Sequence, residues 1–180
     1  ATPEEGVRLR RGGVKGEILV LGWAGPDSVR LLSRYRLTQT VVSFEHARAL
    51  DQAGRRLKVH IKLDTGMHRL GISWNSLDDL EEVFSCQNLR VTGLYTHLSH
   101  SDSPHSEDIE RTQEQISRFY KGTEALQAAG YRTGALHIQS SYGLLNYGEL
   151  PCRWARAGIV LYGVLSRSGD RPRILPELRP

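Results

Sequence analysis

The sequence predicts an α/β fold built on a parallel sheet. Six short apolar runs typical of strands alternate with segments that have the pattern of helices or turns, and strict alternation of strands and helices produces a parallel sheet. The 180 residues, 39% of them hydrophobic, can bury a substantial core as one domain. They are nevertheless few for a complete (β/α) barrel, which typically needs about 250 residues.

The first half of the chain supplies three of these strands. The apolar run 18–21, ended by Gly22, has the pattern of a strand buried on both faces, and the run 40–43 repeats it. Residues 1–17 are polar and contain four glycines, which indicates a loop or a short helix. We therefore predict strands at 18–21, 40–43 and 57–64, and helices at 26–35 and 43–53.

The second half continues the alternation. Ser76 is expected to cap a helix over 77–84, whose acidic residues lie near the positive end of the helix dipole. A long amphipathic helix runs from Ser106 to about Ala129 and ends at Gly130. The remaining strands are predicted at 91–98, 135–140 and 156–163, before an Arg- and Pro-rich tail over 166–180 that lacks periodicity.

The most informative stretch lies between Val59 and Ile72. Apolar and polar residues alternate up to Asp64, which is the pattern of a strand with one row of side chains on each face. A turn follows, so that Lys62, Asp64 and Arg69 fall within eight residues at the carboxyl end of a strand, where α/β folds keep their active sites. A surface ion-pair cluster is the alternative interpretation of the same spacing.

Composition argues against several functional classes. The net charge is +4, but the basic residues are spread along the whole chain and form no block interleaved with aromatic residues, so nucleic acid is not the expected partner. Cys86 and Cys152 are far apart and belong to no CxxC motif, which is typical of reduced thiols in a cytoplasmic protein. No apolar run approaches the roughly 18 residues of a membrane span.

The segment KLDTGMHRLG and several others along the chain resemble, in order, motifs of the alanine racemase family, the pyridoxal-phosphate enzymes that interconvert L- and D-amino acids. The segment KLDTGMHRLG resembles the family signature, and THLSHSDS resembles the serine/alanine racemases associated with vancomycin resistance. Four further segments match in sequence order: EGVRLR, LTQTVVS, HIQSS and RAGIVLYG.

The resemblance implies a TIM-like (β/α) barrel with about six of its eight units, over residues 1–165. It makes 166–180 a linker toward a missing C-terminal β domain, and it places the first two barrel strands before Ala1. The implied protein is an alanine or serine racemase that supplies D-amino acids for cell-wall synthesis. It would be a homodimer in full-length form and cytoplasmic, with membrane attachment only if a further N-terminal domain exists.

The resemblance also implies roles for individual residues. Arg156 matches the arginine that donates a hydrogen bond to the cofactor's pyridine nitrogen, and Arg69 the one that contacts the substrate carboxylate and the cofactor's phenolic oxygen. Lys62 matches a lysine that is carbamylated in many members. The phosphate would be held by Ser141, Gly158 and Ile159, while His97 and His137 would orient other groups.

Alternatives remain for several of these residues. Arg156 beside Trp154 is also typical of a structural arginine, and Lys62 can pair with Asp64. A metal cluster is a further interpretation of four loop residues, although their spacing is irregular: His97, His100, Asp102 and His105.

The resemblance implies that the family's two catalytic bases are absent from these 180 residues. Its Schiff-base lysine would lie before Ala1, and its tyrosine would come from the C-terminal domain of the partner subunit, so the chain alone is expected to be inactive. A non-catalytic phosphate-binding or regulatory module is the second hypothesis, and a related decarboxylase or a cofactor carrier is the third.

Overall fold

A computed structural model describes residues 1–163 of the chain as a six-stranded parallel sheet with helices in the connections. The sheet order is β1-β2-β3-β5-β6, and β4 pairs with β3 off this path. The strands are β1 Leu19–Val20, β2 Thr38–Val41, β3 Leu57–Asp64, β4 Ile72–Ser73, β5 Leu89–Tyr95 and β6 Ala135–His137. The predicted α/β class and the parallel sheet are confirmed.

Helices follow most of these strands. They are α1 Pro3–Arg11, α2 Val29–Arg34, α3 Phe44–Gln52, α4 Leu77–Ser85, α5 Ser106–Ala128 and α6 Ser141–Tyr147, with short 3-10 helices at Pro26–Ser28 and Ile159–Tyr162. The first segment is a helix because Pro3 opens it and Thr2 forms a capping box with Glu5. Within residues 1–163, no helix combines the length and the apolar character that crossing a membrane requires.

The strand β3 is the centre of the fold. Its apolar row is completely buried, and the opposite row of His60 and Lys62 is also buried, so both faces of the strand are covered. It pairs in parallel with β2 on one side and β5 on the other, with a register irregularity against β5 between Val59 and His60. Because parallel strands all end at the same edge, this arrangement collects their carboxyl ends around Asp64.

The long helix α5 covers the sheet through close contacts. Phe119 and Leu126 are fully buried in the main apolar core. A Cβ atom on Gly122 would lie 2.6 Å from the carbonyl oxygen of Trp74, so only glycine lets the helix approach this loop so closely.

The structure corrects several predicted boundaries. The segment 156–163, predicted as a strand, contains the 3-10 helix Ile159–Tyr162 instead. Its apolar run gave the pattern of a buried strand, yet Leu161 and Tyr162 are 74% and 82% exposed, so burial does not explain the run. The amide N–H groups of Gly158 and Val160 bond to the side chain of Ser141 instead of a neighbouring strand.

Other differences are smaller. The predicted strands 40–43, 91–98 and 135–140 lie at 38–41, 89–95 and 135–137, and the predictions missed β4 and α6. Ser76 occupies the cap position of α4, but its side chain makes no capping hydrogen bond. The predicted linker at 166–180 lies outside the described residues.

Candidate active site

A cleft of about 440 Å³ lies at the carboxyl ends of the strands. It is lined from β3 by Lys62, from the loop after β3 by Arg69, and from the residues after β5 by His97. Its lining also includes Ser141, the first residue of α6, together with Arg156, Gly158 and Ile159. The structure therefore brings together every candidate site residue except His137, which lies directly behind Arg156.

The loop after β3 is shaped by Asp64. One carboxylate oxygen accepts the backbone N–H groups of Gly66, Met67 and His68 at 3.0 to 3.1 Å, and the other lies 3.3 Å from His68 Nδ1. Burial alone would raise the pKa of Asp64, but these donors hold it below its ordinary value. Among residues 1–163 Asp64 forms no salt bridge with Lys62, so its role is to hold the loop that carries Arg69.

Lys62 is a buried amine, 5% exposed, with no hydrogen bond or salt bridge in the described part of the chain. Burial lowers its pKa, and the charges of Arg69 and Arg156 act in the same direction, against the opposing effect of Asp64. The neutral, nucleophilic form of the amine is therefore more accessible than in a solvated lysine.

Arg156 is held by a dense set of acceptors. Its Nη1 lies 2.6 Å from His137 Nδ1 and 3.0 Å from the carbonyl oxygen of His137, and its Nη2 donates to the carbonyl oxygens of Thr96 and Ile138 at 2.7 and 3.1 Å. The guanidinium also lies 4.9 Å from the centre of the Tyr95 ring. Burial lowers its pKa to about 10, so it remains charged at neutral pH.

The nitrogen Nε of Arg156 has no hydrogen-bond partner among the described residues. Three side-chain atoms of the described residues are both fully buried and without a hydrogen-bond partner: Gln39 Oε1, His46 Nδ1 and Tyr147 Oη. Arg156 Nε is not one of them, so this nitrogen is at least partly accessible to solvent. Because Arg156 lines the cleft, this N–H is available to a group bound there.

The histidines around Arg156 are uncharged at neutral pH. Burial, reinforced by the charge of Arg156, lowers the pKa of His137 to about 3 and that of His97 to about 4. His97 Nδ1 lies 3.5 Å from Arg156 Nη2. Both rings are therefore neutral neighbours of the guanidinium, and the orienting roles predicted for them stay predictions.

Ser141 provides a second set of polar groups in the cleft. Its hydroxyl oxygen accepts the amide N–H groups of Gly158 at 2.9 Å and Val160 at 3.3 Å. A Cβ atom on Gly158 would lie 3.7 Å from this oxygen, so the missing side chain leaves space beside the hydroxyl. No partner for the amide N–H of the intervening Ile159 is found within residues 1–163.

Sequence reasoning missed two residues of this site. Tyr95 lines the cleft and stacks on His137, with ring centres 4.7 Å apart, and His60 bonds to the far side of His137. Tyr95 is the last residue of β5 and directly precedes the segment THLSHSDS, so its position at the carboxyl end of a strand was the available signal. Nothing in the sequence separates His60 from the other polar residues of the central strand. The described residues contain no group of three or more histidine, cysteine or acidic residues placed to bind a metal ion.

Comparisons with known proteins agree on one family. The family profile described as alanine racemase, N-terminal domain, matches residues 1–166. An amino-acid racemase of Enterococcus faecalis is 40% identical over the whole chain, and a serine/alanine racemase of Enterococcus gallinarum is 39% identical. The solved alanine racemase of Clostridium difficile 630 in complex with cycloserine superposes with a TM-score of 0.87 at 27% identity, covering 99% of this chain.

These relatives are longer than the chain. It spans 26% of the length of the two Enterococcus proteins and 49% of the Clostridium difficile structure. The match supports the predicted partial (β/α) barrel, since the parallel sheet corresponds to part of the N-terminal domain of those proteins.

Proposed function

This chain belongs to the alanine racemase family, and from that premise we propose that its cleft is the cofactor and substrate site of a pyridoxal-phosphate-dependent amino-acid racemase. The observation that carries the proposal is the hydrogen bonding of the Arg156 guanidinium. Its two terminal nitrogens are engaged by protein acceptors, whereas Nε, on the same buried guanidinium, is free to donate into the cleft. Such an N–H suits an aromatic ring nitrogen, and because a guanidinium keeps its protons, that nitrogen would stay unprotonated.

The other side of the cleft fits the phosphate of the same cofactor. Ser141 offers a hydroxyl whose oxygen already accepts the N–H groups of Gly158 and Val160, and Ile159 between them has an amide N–H with no partner within residues 1–163. Gly158 leaves space beside this hydroxyl because it has no side chain. Hydroxyl and amide donors of this kind are what barrels use to bind phosphate near their last strands. The cleft volume of about 440 Å³ lies within the range of small-molecule and cofactor sites.

When bound, pyridoxal phosphate supplies an electron sink that weakens the Cα–H bond of an attached amino acid. By donating to the ring nitrogen, Arg156 would keep that nitrogen unprotonated and would thereby limit side reactions such as transamination.

The substrate side of the cleft is formed by Arg69 and Lys62. Arg69 is exposed and has no hydrogen bond among the described residues, so its planar donors are available to a carboxylate. Lys62 lies buried near both arginines, and reaction of its neutral amine with CO2 would form a carbamate and release a proton. The resulting anion would hold Arg69 in place. Alanine and serine are the proposed substrates, in line with the names of the relatives.

We propose that the two catalytic bases lie outside these 180 residues. No lysine of this chain matches the position of the family's Schiff-base lysine, and no tyrosine matches that of the second base. We propose that both belong to the protein at its full natural length, and that a homodimer completes each site with a tyrosine from the other subunit.

The proposal is tested by racemisation assays on the protein at its full natural length. We expect D-alanine or D-serine to appear from the L-enantiomer when pyridoxal phosphate is present, with deuterium from D2O incorporated at Cα. Samples without the cofactor serve as the control. Cofactor binding without any Cα exchange would favour the non-catalytic module, and failure to bind pyridoxal phosphate would overturn the proposal.

A further inference from the structure

Behind Arg156 lies a chain of two buried histidines. His137 Nδ1 is 2.6 Å from Arg156 Nη1, and His137 Nε2 is 2.9 Å from His60 Nδ1. Both rings are almost completely buried, with His137 1% and His60 2% exposed. The series Arg156–His137–His60 therefore runs from the cleft into the interior and ends at His60 on β3.

The direction of these hydrogen bonds follows from the donors. A guanidinium can only donate, so His137 Nδ1 must accept and cannot carry a proton. A neutral His137 then carries its proton on Nε2, which must donate to His60 Nδ1. Burial is the largest cause that lowers the pKa of both histidines, to about 3 for His137 and about 4 for His60, so both rings are neutral at neutral pH.

The ring of His60 occupies space that is open because the facing residue on β5 is a glycine. His60 pairs in register with Gly93 on β5, directly after the irregularity at Val59. A Cβ atom on Gly93 would lie 2.6 Å from His60 Cε1 and 2.7 Å from Nε2, so any other residue there would collide with the ring. Such register irregularities commonly redirect one side chain.

The ring of His137 is also held by stacking against Tyr95. The two rings make an interplanar angle of 9°, and the Tyr95 hydroxyl bonds to Thr40 Oγ1 at 3.1 Å. The face of the His137 ring is thus fixed by stacking, while stacking does not select which ring nitrogen carries the proton. The Arg156 donor at Nδ1 and the acceptor at His60 Nδ1 both require that proton on Nε2.

We propose that His60 is a positioning residue that stabilises the Nε2–H tautomer of His137 and thereby holds the Arg156 guanidinium, with its free Nε–H, toward the cleft. The link to the cofactor rests on the proposed function, whereas the link from His60 to Arg156 stands on the geometry alone. Without an acceptor at position 60, His137 either leaves a buried N–H unpaired or places a proton on Nδ1, directly against an Arg156 donor. The cost of the unpaired donor favours the second outcome, which displaces the guanidinium.

Two substitutions separate this role from simple packing. His60→Leu keeps a similar volume and removes the acceptor, whereas His60→Asn is smaller but places an amide oxygen near the position of Nδ1. In crystal structures of the cofactor-free, natural-length protein, we expect the hydrogen bond between Arg156 and His137 to be broken in His60→Leu and intact in His60→Asn. An Arg156 side chain that stays in place in His60→Leu would overturn the proposal.

The wild-type protein provides an independent check if His60→Leu does not fold. In the 15N spectrum of histidine-labelled protein, the ring of His137, assigned by its loss in His137→Gln, is expected to carry its proton on Nε2. Observation of the Nδ1–H tautomer would refute the proposal without any variant at position 60.

A kinetic readout tests the consequence for the cofactor. The ratio of transamination to racemisation events does not depend on the fraction of folded enzyme, so it isolates the placement of Arg156 from stability. We expect this ratio to rise about tenfold in His60→Leu and to return toward the wild-type value in His60→Asn. An unchanged ratio with a displaced Arg156 would contradict the proposed contact between Arg156 and the cofactor, while an Arg156 that has not moved would contradict the role of His60.

Discussion

Replacing Arg156 by lysine in the natural-length protein is expected to lower kcat/KM for racemisation by about 100-fold or more. Lysine keeps the positive charge but lacks the planar fork that reaches His137 and the carbonyl oxygens of Thr96 and Ile138. The unpaired carbonyls should also lower the free energy of unfolding by about 2 to 4 kcal/mol. Racemisation kinetics and denaturant unfolding of the same preparation measure the two effects.

A matched control lies three residues away. Arg153 is exposed, and Arg153→Lys makes the same chemical change outside the cleft, so both quantities should remain close to wild type. Full activity of Arg156→Lys would show that the guanidinium is structural, as its position beside Trp154 also allows. Loss of stability alone, with kcat/KM unchanged for the folded enzyme, would have the same meaning.

Replacing Lys62 by alanine is the second change expected to have a large effect. The cleft contains Arg69 and Arg156, and the Asp64 carboxylate already accepts hydrogen bonds within its own loop. The proposed carbamate on Lys62 would therefore supply an anion beside these arginines. We expect kcat/KM to fall about 10- to 100-fold in Lys62→Ala. Native mass spectrometry of the wild type in bicarbonate should show the added mass of one CO2 per chain, and this variant should not show it.

The control for this experiment is Lys121→Ala, which removes an exposed lysine from α5 and should leave both the added mass and the activity unchanged. Lys62→Glu brings a carboxylate on a shorter side chain and should recover part of the missing activity. Absence of the CO2 adduct in an active wild-type enzyme would contradict the carbamate and leave Lys62 as a buried amine.

The parts of the site that lie close together in sequence were accessible from sequence alone. The alternation from Val59 to Asp64 placed Lys62 on a strand, and the turn residues that follow placed Arg69 at its carboxyl end. The family motif then assigned their chemistry. The burial of Lys62 also follows from sequence, because a central strand of a parallel sheet is covered on both faces.

Contacts between distant segments could not be predicted in this way. His60 and His137 are 77 positions apart, and their hydrogen bond depends on the register between β3, β5 and β6, including the irregularity at Val59. The segment 156–163 was predicted wrongly for a related reason. Its apolar residues match a strand pattern, but its backbone follows the hydroxyl of Ser141, and a periodicity argument does not include side-chain to backbone bonds of this kind.

The most direct test of the proposed cofactor site is a crystal structure of the natural-length protein with pyridoxal phosphate. We expect the pyridine nitrogen to accept a hydrogen bond from Arg156 Nε. We also expect the phosphate to lie beside Gly158 and to contact the Ser141 hydroxyl and the amide N–H of Ile159. A cofactor bound with its ring nitrogen away from Arg156, or with its phosphate away from Ser141, would contradict the proposed site.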